Sequence, residues 1–216
     1  ISIIDKSSVK PILSNFLLST LDEDKENKVE FSATDYELSI IEKFPAQIIE
    51  SGSICISARK LHDICREFQG EDITIKSTEQ LWIHITSGSS ELRLPSVEVG
   101  LYPQTVLEEL SEKVILSAAE LRKFIDMTLF AAQTNESRRN LMGVNLTIKE
   151  NNTISWLATD GHRLAQVVKT VEKAEFSEVS EVIIPRKALA EVRKAIDLFD
   201  ENLEISFDDR TLQFIG

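Results

Sequence analysis

The chain has 216 residues, 42% of them hydrophobic, and carries 24 Lys and Arg against 36 Asp and Glu, a formal net charge of −12. That length allows two domains of roughly 100 residues with a core each, while no apolar run approaches the roughly 20 residues that a membrane-spanning helix needs. The acidic balance excludes a uniformly basic nucleic-acid binder but leaves room for a basic strip on an acidic body, and Cys55 and Cys65, with no CxxC or Cys/His cluster nearby, read as buried reduced thiols of a cytosolic protein.

Along the chain, β-type runs are predicted at Phe16 to Leu21, Val29 to Ala33, Leu38 to Lys43 and Ser53 to Ile56. A helix follows over Ser57 to Phe68, with Leu61, Ile64, Cys65 and Phe68 on one face and Ser57 placed to accept a bond from the first-turn amides. Strands resume at Ile73 to Ser77, Leu81 to Ser87, Glu91 to Leu94 and Val114 to Leu116. Ser117 and Glu120 form a capping box that opens a second helix, Ser117 to Ala132, with Leu121, Phe124, Ile125 and Leu129 facing inward. The runs Val144 to Lys149, Thr153 to Ala158, Arg163 to Val171 and Glu181 to Ile184 lead to a third helix, Pro185 to Phe199, whose proline suits a first turn. Its apolar face is Leu189, Val192, Ile196 and Phe199, and strands at Leu203 to Phe207 and Thr211 to Ile215 complete the chain. Hairpin turns at Asn151-Asn152 and Asp208-Asp209-Arg210 point to antiparallel sheet with helices packed on one side.

The order of elements repeats. Ala-Thr-Asp stands at Ala33 to Asp35 and again at Ala158 to Asp160, while Leu13, Leu18, Leu61 and Ile64 recur 128 residues later as Leu141, Leu146, Leu189 and Val192. The Ala-Thr-Asp offset is 125, three fewer, which fits a longer loop at Asp22 to Lys28 than at Lys149 to Asn152. In this register the first copy lacks a counterpart of about Ser111 to Thr128, and the second stops before a counterpart of Glu91 to Pro103, so both ends read as cut.

Charge is segregated by element. The three predicted helices hold nine Lys/Arg against six Asp/Glu, a net of +3, leaving −15 on the remainder. Arg59 and Arg66, Arg122 and Lys123, and Arg186, Lys187, Arg193 and Lys194 stand on the faces opposite the apolar ones, with Arg138 and Arg139 in a polar loop and Lys10 at the corresponding place in the first copy. Ordinary solvated faces explain any one helix; recurrence in all three favours a basic surface.

Ser57-Ala-Arg-Lys-Leu-His-Asp-Ile-Cys-Arg66, Ser90-Glu-Leu-Arg-Leu-Pro95 leading to Tyr102-Pro103, and Ala158-Thr-Asp-Gly-His-Arg-Leu-Ala165 followed by Ile184-Pro-Arg-Lys187 resemble the bacterial DNA polymerase III β subunits, the replicative sliding clamps, over essentially the whole chain. The resemblance implies an α+β DNA-clamp fold, repeated domains of curved antiparallel sheets with basic helices lining a central channel. It divides this chain into clamp domain I (1–105, without its N-terminal strand and helix) and clamp domain II (106–216, without its last strand), with domain III absent. It further implies a non-catalytic, cytoplasmic processivity subunit without cofactor or metal, which encircles duplex DNA as a homodimeric ring and tethers the replicative polymerase, the clamp loader, other polymerases and repair proteins by short linear motifs, with no membrane partner.

By the same resemblance Arg59, Arg66, Arg122, Lys123, Arg186, Lys187, Arg193 and Lys194 line the channel, and Lys10, Gln133, Arg138 and Arg139 lie near its mouth. Arg139 and Asn140 depart from aromatic residues common in the family. Leu141, Thr159, Gly161, His162, Arg163 and Leu164 are the half of the partner-peptide pocket present here, expected to bind weakly alone; the alternative is a plain turn with Asp160 bonding local amides. Leu92 and Leu94 match the dimer edge, or are inward core residues, and without a third domain the chain is expected to be mainly monomeric.

Two other classes compete with this reading. A hydrolase built on Ser155, Asp160 and His162 finds no nucleophile elbow, phosphate loop or metal spacing. A repeat-built peptide-binding scaffold would not need the basic helix faces.

Overall fold

The computed structural model describes residues 4, 10–21, 27–78, 80–105, 107, 109–149, 152–171, 174–175, 180–198, 202–208 and 210–216. The chain divides into two compact units, Ile1–Val106 and Leu107–Gly216.

In the first unit, β1 (Asn15–Thr20), β2 (Lys28–Thr34), β3 (Ser39–Pro45) and β4 (Ser53–Ser57) form an antiparallel sheet of order β3-β2-β1-β4. The helix α1 (Ala58–Glu67) follows directly, and β5 (Thr74–Ser77), β6 (Trp82–Ser87) and β7 (Ser90–Pro95) make a second antiparallel sheet in sequence order. Leu18 of β1, Ile56 of β4, Leu61 of α1 and Ile83 and Ile85 of β6 form its main core. Period-two alternation puts Ile83 and Ile85 on one side of β6, and the spacing of Ala58 and Leu61 keeps both on the inner face of α1. Tyr102 is nearly enclosed and its hydroxyl donates to the carbonyls of Asn15 and Ser32, at 3.3 and 3.2 Å, tying the end of the unit to the first sheet. Burial pushes that phenol up to about 12.

The second unit begins with β8 (Glu112–Ser117) and α2 (Ala118–Thr128), whose start is a full capping box: Glu120 N–H donates to Ser117 Oγ and Ser117 N–H donates to the Glu120 carboxylate. Next come β9 (Gly143–Lys149), β10 (Thr153–Thr159), β11 (Leu164–Thr170), the two-residue β12 (Ala174–Glu175) and β13 (Ser180–Pro185). After α3 (Arg186–Ala195), β14 (Asn202–Phe207) and β15 (Leu212–Ile215) finish the unit. The sheets have orders β11-β10-β9-β13 and β12-β8-β14-β15, both antiparallel. A large core joins Leu121, Phe124 and Ile125 of α2, Leu189 of α3, Leu146 and Ile148 of β9 and the fully buried Trp156 of β10. The order β3-β2-β1-β4 is the order β11-β10-β9-β13 under the repeat register.

Three local expectations are corrected. Ser57 is the N-cap of α1 but its side chain accepts no capping bond. Pro185 is an extended N-cap, the last residue of β13, and α3 starts at Arg186. Cys55 is buried, its thiol pushed up to about 11, but Cys65 is exposed. Helical spacing groups Cys65 with Leu61, yet among the described residues nothing closes the sheet in front of it. Phe16, Phe31, Ile40, Phe44, Leu61 and Cys65 are among the residues around a cavity of about 540 Å³ there. The matched sheet of the second unit is closed at this place because α2 packs over β10 and β11. The second and third helices tighten into 3-10 turns, Leu129–Ala131 and Ile196–Leu198, before their predicted ends. Phe199, Asn151 and Asp209, which the predicted elements include, lie outside the described residues.

Candidate nucleic-acid and partner interfaces

The basic residues stand where amphipathic spacing sends them. Arg59 and Arg66 of α1, Lys123 of α2, and Lys187 and Lys194 of α3 are exposed, while Leu61, Leu121 and Leu189 anchor the inner faces. Within the second unit α2 lies beside α3 and the turn that ends it, joined to them by two ion pairs: Asp197 of the turn with Arg122, and Arg193 of α3 with Asp126. The latter is bidentate, Nε to Oδ1 at 2.7 Å and a terminal nitrogen to Oδ2 at 3.1 Å. Lys194 bonds Glu191 one turn back at 2.7 Å. Arg186 is half-buried and donates to the carbonyls of Leu129 and Ala132, at 2.5 and 3.3 Å, satisfying the orphan end of the turn after α2. Its guanidinium therefore joins the start of α3 to the end of α2.

Five of the six partner-pocket positions, Thr159 and Gly161 to Leu164, lie on the β10–β11 turn, and Leu141 stands just before β9. Asp160 Oδ1 accepts from the amides of His162 and Arg163, at 2.9 and 3.0 Å, and these two bonds, ahead of the nearby Arg163 charge, hold its carboxyl below the ordinary carboxylate range. Thr159 Oγ1 donates to the Arg163 carbonyl at 2.7 Å and accepts from the Gly161 amide at 3.1 Å. Gly161 has φ +88°, and a Cβ there would come within 2.9 Å of an Arg138 terminal nitrogen. The turn thus has the local bonding of a plain turn, and the bare glycine lets Arg138 approach it closely. His162, Arg163 and Leu164 are exposed, Leu164 at 62%, while Leu141 is half-buried and accepts a bond from the Gln133 amide at 2.9 Å. Gln133 turns its own side-chain oxygen inward to the amides of Thr134 and Asn135. The side chain of Arg139 lies outside the described residues.

Phe130 belongs to this cluster and sequence reasoning missed it. It is 54% exposed, with the Arg163 guanidinium 5.6 Å from its ring centroid, and Asp160 holds the same guanidinium through Nε at 3.0 Å. Its signal was an aromatic residue one place off the Leu121, Ile125, Leu129 stripe.

Three further candidates lie in the first unit. Lys10 meets Tyr36, with Nζ 4.5 Å above the ring and 3.3 Å from the hydroxyl. Leu92 and Leu94 are on β7, an edge strand, opposite Ile85 and Ile83. Leu94 packs partly against the core, whereas Leu92 is 40% exposed. Among the described residues no group of three or more His, Cys, Asp or Glu could hold a metal ion, and no helix is long and apolar enough to cross a membrane.

The family model for the N-terminal domain of the DNA polymerase III beta subunit matches residues 1–108, and that for its central domain matches residues 115–216. The chain belongs to the DNA polymerase III beta subunit family. Beta sliding clamps of Staphylococcus epidermidis and Staphylococcus aureus are 35% and 34% identical to it, each over 98% of the chain and 56% of their own length. Among solved structures, the DNA polymerase sliding clamp of Caulobacter crescentus has a TM-score of 0.89 at 31% identity, covering all of this chain and 58% of that one. A sliding clamp of Bartonella birtlesii bound to griselimycin has a TM-score of 0.90 at 30% identity, over 99% of this chain and 57% of that one. The α+β clamp fold is thereby established, and the chain spans about half the length of the beta subunit relatives it matches.

Proposed function

We propose that the protein is a non-catalytic processivity factor which closes around duplex DNA as a homodimeric ring, slides on it, and tethers the replicative polymerase in the cytoplasm. In this reading residues 1–105 and 106–216 are the first two clamp domains of a longer polypeptide. The observation that carries it is the basic outer face on each of α1, α2 and α3 in a chain of net charge −12, on a fold shared with sliding clamps. Lysines and arginines on long stems attract phosphates without reading bases. Such contact has to stay weak, because every phosphate neutralised adds counterion-release affinity that must be given up when the ring moves. Closure supplies the retention that contact does not.

The cluster of Leu141, Thr159, Gly161, His162, Arg163 and Leu164 is proposed to receive short linear motifs of the polymerase, clamp loader and repair proteins. The exposed Leu164 and the close approach of Arg138 to the bare Gly161 support that role, with an apolar anchor lying beside the Arg138 and Arg163 guanidinium groups. Leu92 on the β7 edge is proposed to meet a partner subunit, extending the sheet across the interface.

Full-length protein loaded onto closed circular plasmid by its clamp loader and ATP tests this. Retention that ends on a single restriction cut is the expected result. Retention that survives the cut but dissolves in salt, or none beside an active loader control, overturns it.

A further inference from the structure

The two ion pairs between α2 and α3 bear on how tightly the helix faces meet DNA. Arg122 and Asp126 are one turn apart on α2, and Arg193 and Asp197 are spaced alike on α3 and the turn that ends it, so the pairs cross in antiparallel register. All four side chains reach solvent: 33% and 73% exposed for Arg122 and Asp197, 33% and 51% for Arg193 and Asp126.

We infer that Asp126 and Asp197 are attenuators of the basic surface, each holding an arginine that would otherwise bond a duplex phosphate. The inference rests on the sliding-clamp reading above. The Arg193 guanidinium, engaged bidentately by Asp126, presents to it the same pair of parallel N–H vectors that a phosphate takes, and the single Arg122–Asp197 bond occupies one such N–H, so carboxylate and phosphate compete for the same donors. Exposed pairs of this kind are individually weak, which makes the exchange reversible and the attenuation graded. The position is also specific to the second repeat. Cys65 and Gln69 stand where Arg193 and Asp197 recur 128 residues later, so α1 has no counterpart of either partner. The consequence is a face whose arginines are released one at a time as phosphates pass.

The test uses full-length protein and a short linear duplex, with affinity measured by fluorescence anisotropy across a salt series for wild type, Asp126→Asn, Asp197→Asn and the double variant. Each released arginine is expected to steepen the slope of log K against log salt by about 0.9, hence about 1.8 for the double variant. In an Arg193→Gln background, Asp126→Asn is expected to lose that gain. Melting curves accompany each variant, and the single variants give the slope independently of the double. Folded variants with a lower melting temperature and an unchanged slope would mean that the pairs only staple the helices, and the inference fails. Failure of the clamp reading itself shows elsewhere, as wild-type protein not retained on circular DNA.

Discussion

The two Ala-Thr-Asp turns are built alike and used differently. In the first, Asp35 Oδ1 accepts from the amides of Glu37 and Leu38, at 3.0 and 2.8 Å, and Thr34 Oγ1 accepts from the Tyr36 amide at 3.1 Å. Asp160 and Thr159 repeat those bonds in the second turn. Both turns need a positive φ at the same place: +75° at Tyr36 and +88° at Gly161. What differs is what stands on that residue. Tyr36 takes Lys10 over its ring, while bare Gly161 lets Arg138, which occupies the repeat position of Lys10, come within 2.9 Å of where a Cβ would stand. The repeat preserved a backbone device and varied the side chain mounted on it: a tyrosine ring under a lysine in one unit, a bare glycine against an arginine in the other.

Exchanging the two residues breaks the comparison most strongly. Gly161→Tyr should lose about 1–2 kcal/mol, because a residue with a Cβ is forced into left-handed backbone. It should also abolish binding of a synthetic linear-motif peptide to the full-length protein. Isothermal titration showing unchanged peptide affinity would remove Gly161 from the pocket.

The acid side comes next. Asp160 is held below its ordinary value of 3.8 by two amide bonds. A carboxyl depressed in the folded state stabilises fully above its unfolded value, and that contribution drains away as pH falls through the folded one. Melting temperature followed from about pH 6 down to about pH 2 should therefore drop more steeply below 3.8 for wild type than for Asp160→Asn. Parallel curves would show that the turn does not depend on the charge.

A smaller effect is expected from Phe130→Ala, which takes the ring from under Arg163 and should weaken peptide binding by the equivalent of about 0.5–1 kcal/mol, the worth of an exposed cation–π contact. Smallest of all is Tyr36→Gly. Relief of left-handed strain is offset by the greater backbone freedom of glycine when unfolded and by the lost Lys10 contact, so chemical denaturation should move by less than about 1 kcal/mol. A larger change in either direction would mean that Tyr36 has a structural role of its own.

Much of the fold was legible because local periodicity decides it. The alternation of Trp82 to Ser87 and the three-and-four spacing of Leu121, Phe124 and Ile125 give element type and inner face without knowledge of any neighbour. The capping box at Ser117 was readable for the same reason, since both partners lie within four residues. The Ser57 cap failed where only half of such a box exists.

What could not be read depends on residues distant in sequence. Nothing local tells that Arg193 meets Asp126, 67 residues away, or that Arg186 turns to the carbonyl of Leu129, 57 away. Those contacts follow from which helices lie together, and they spend the side chains that spacing alone assigned to a free basic face. Cys65 was misplaced by the same gap: a helix has one periodicity but can be covered unequally along it. The β10–β11 turn was legible as a motif, whereas its relation to Phe130 and Arg138 was not.

The face of the first sheet, which nothing among the described residues covers, will govern how the 216-residue chain behaves in the test tube. Phe44 and Ile40 are 47% and 41% exposed beside a cavity of about 540 Å³, and Phe31 meets Phe44 edge-on with ring centroids 5.4 Å apart, a ready aromatic floor. Solvatochromic dyes should brighten on it, mild detergents should occupy it, and the polydispersity of a preparation should follow the additive in the buffer more closely than its ionic strength.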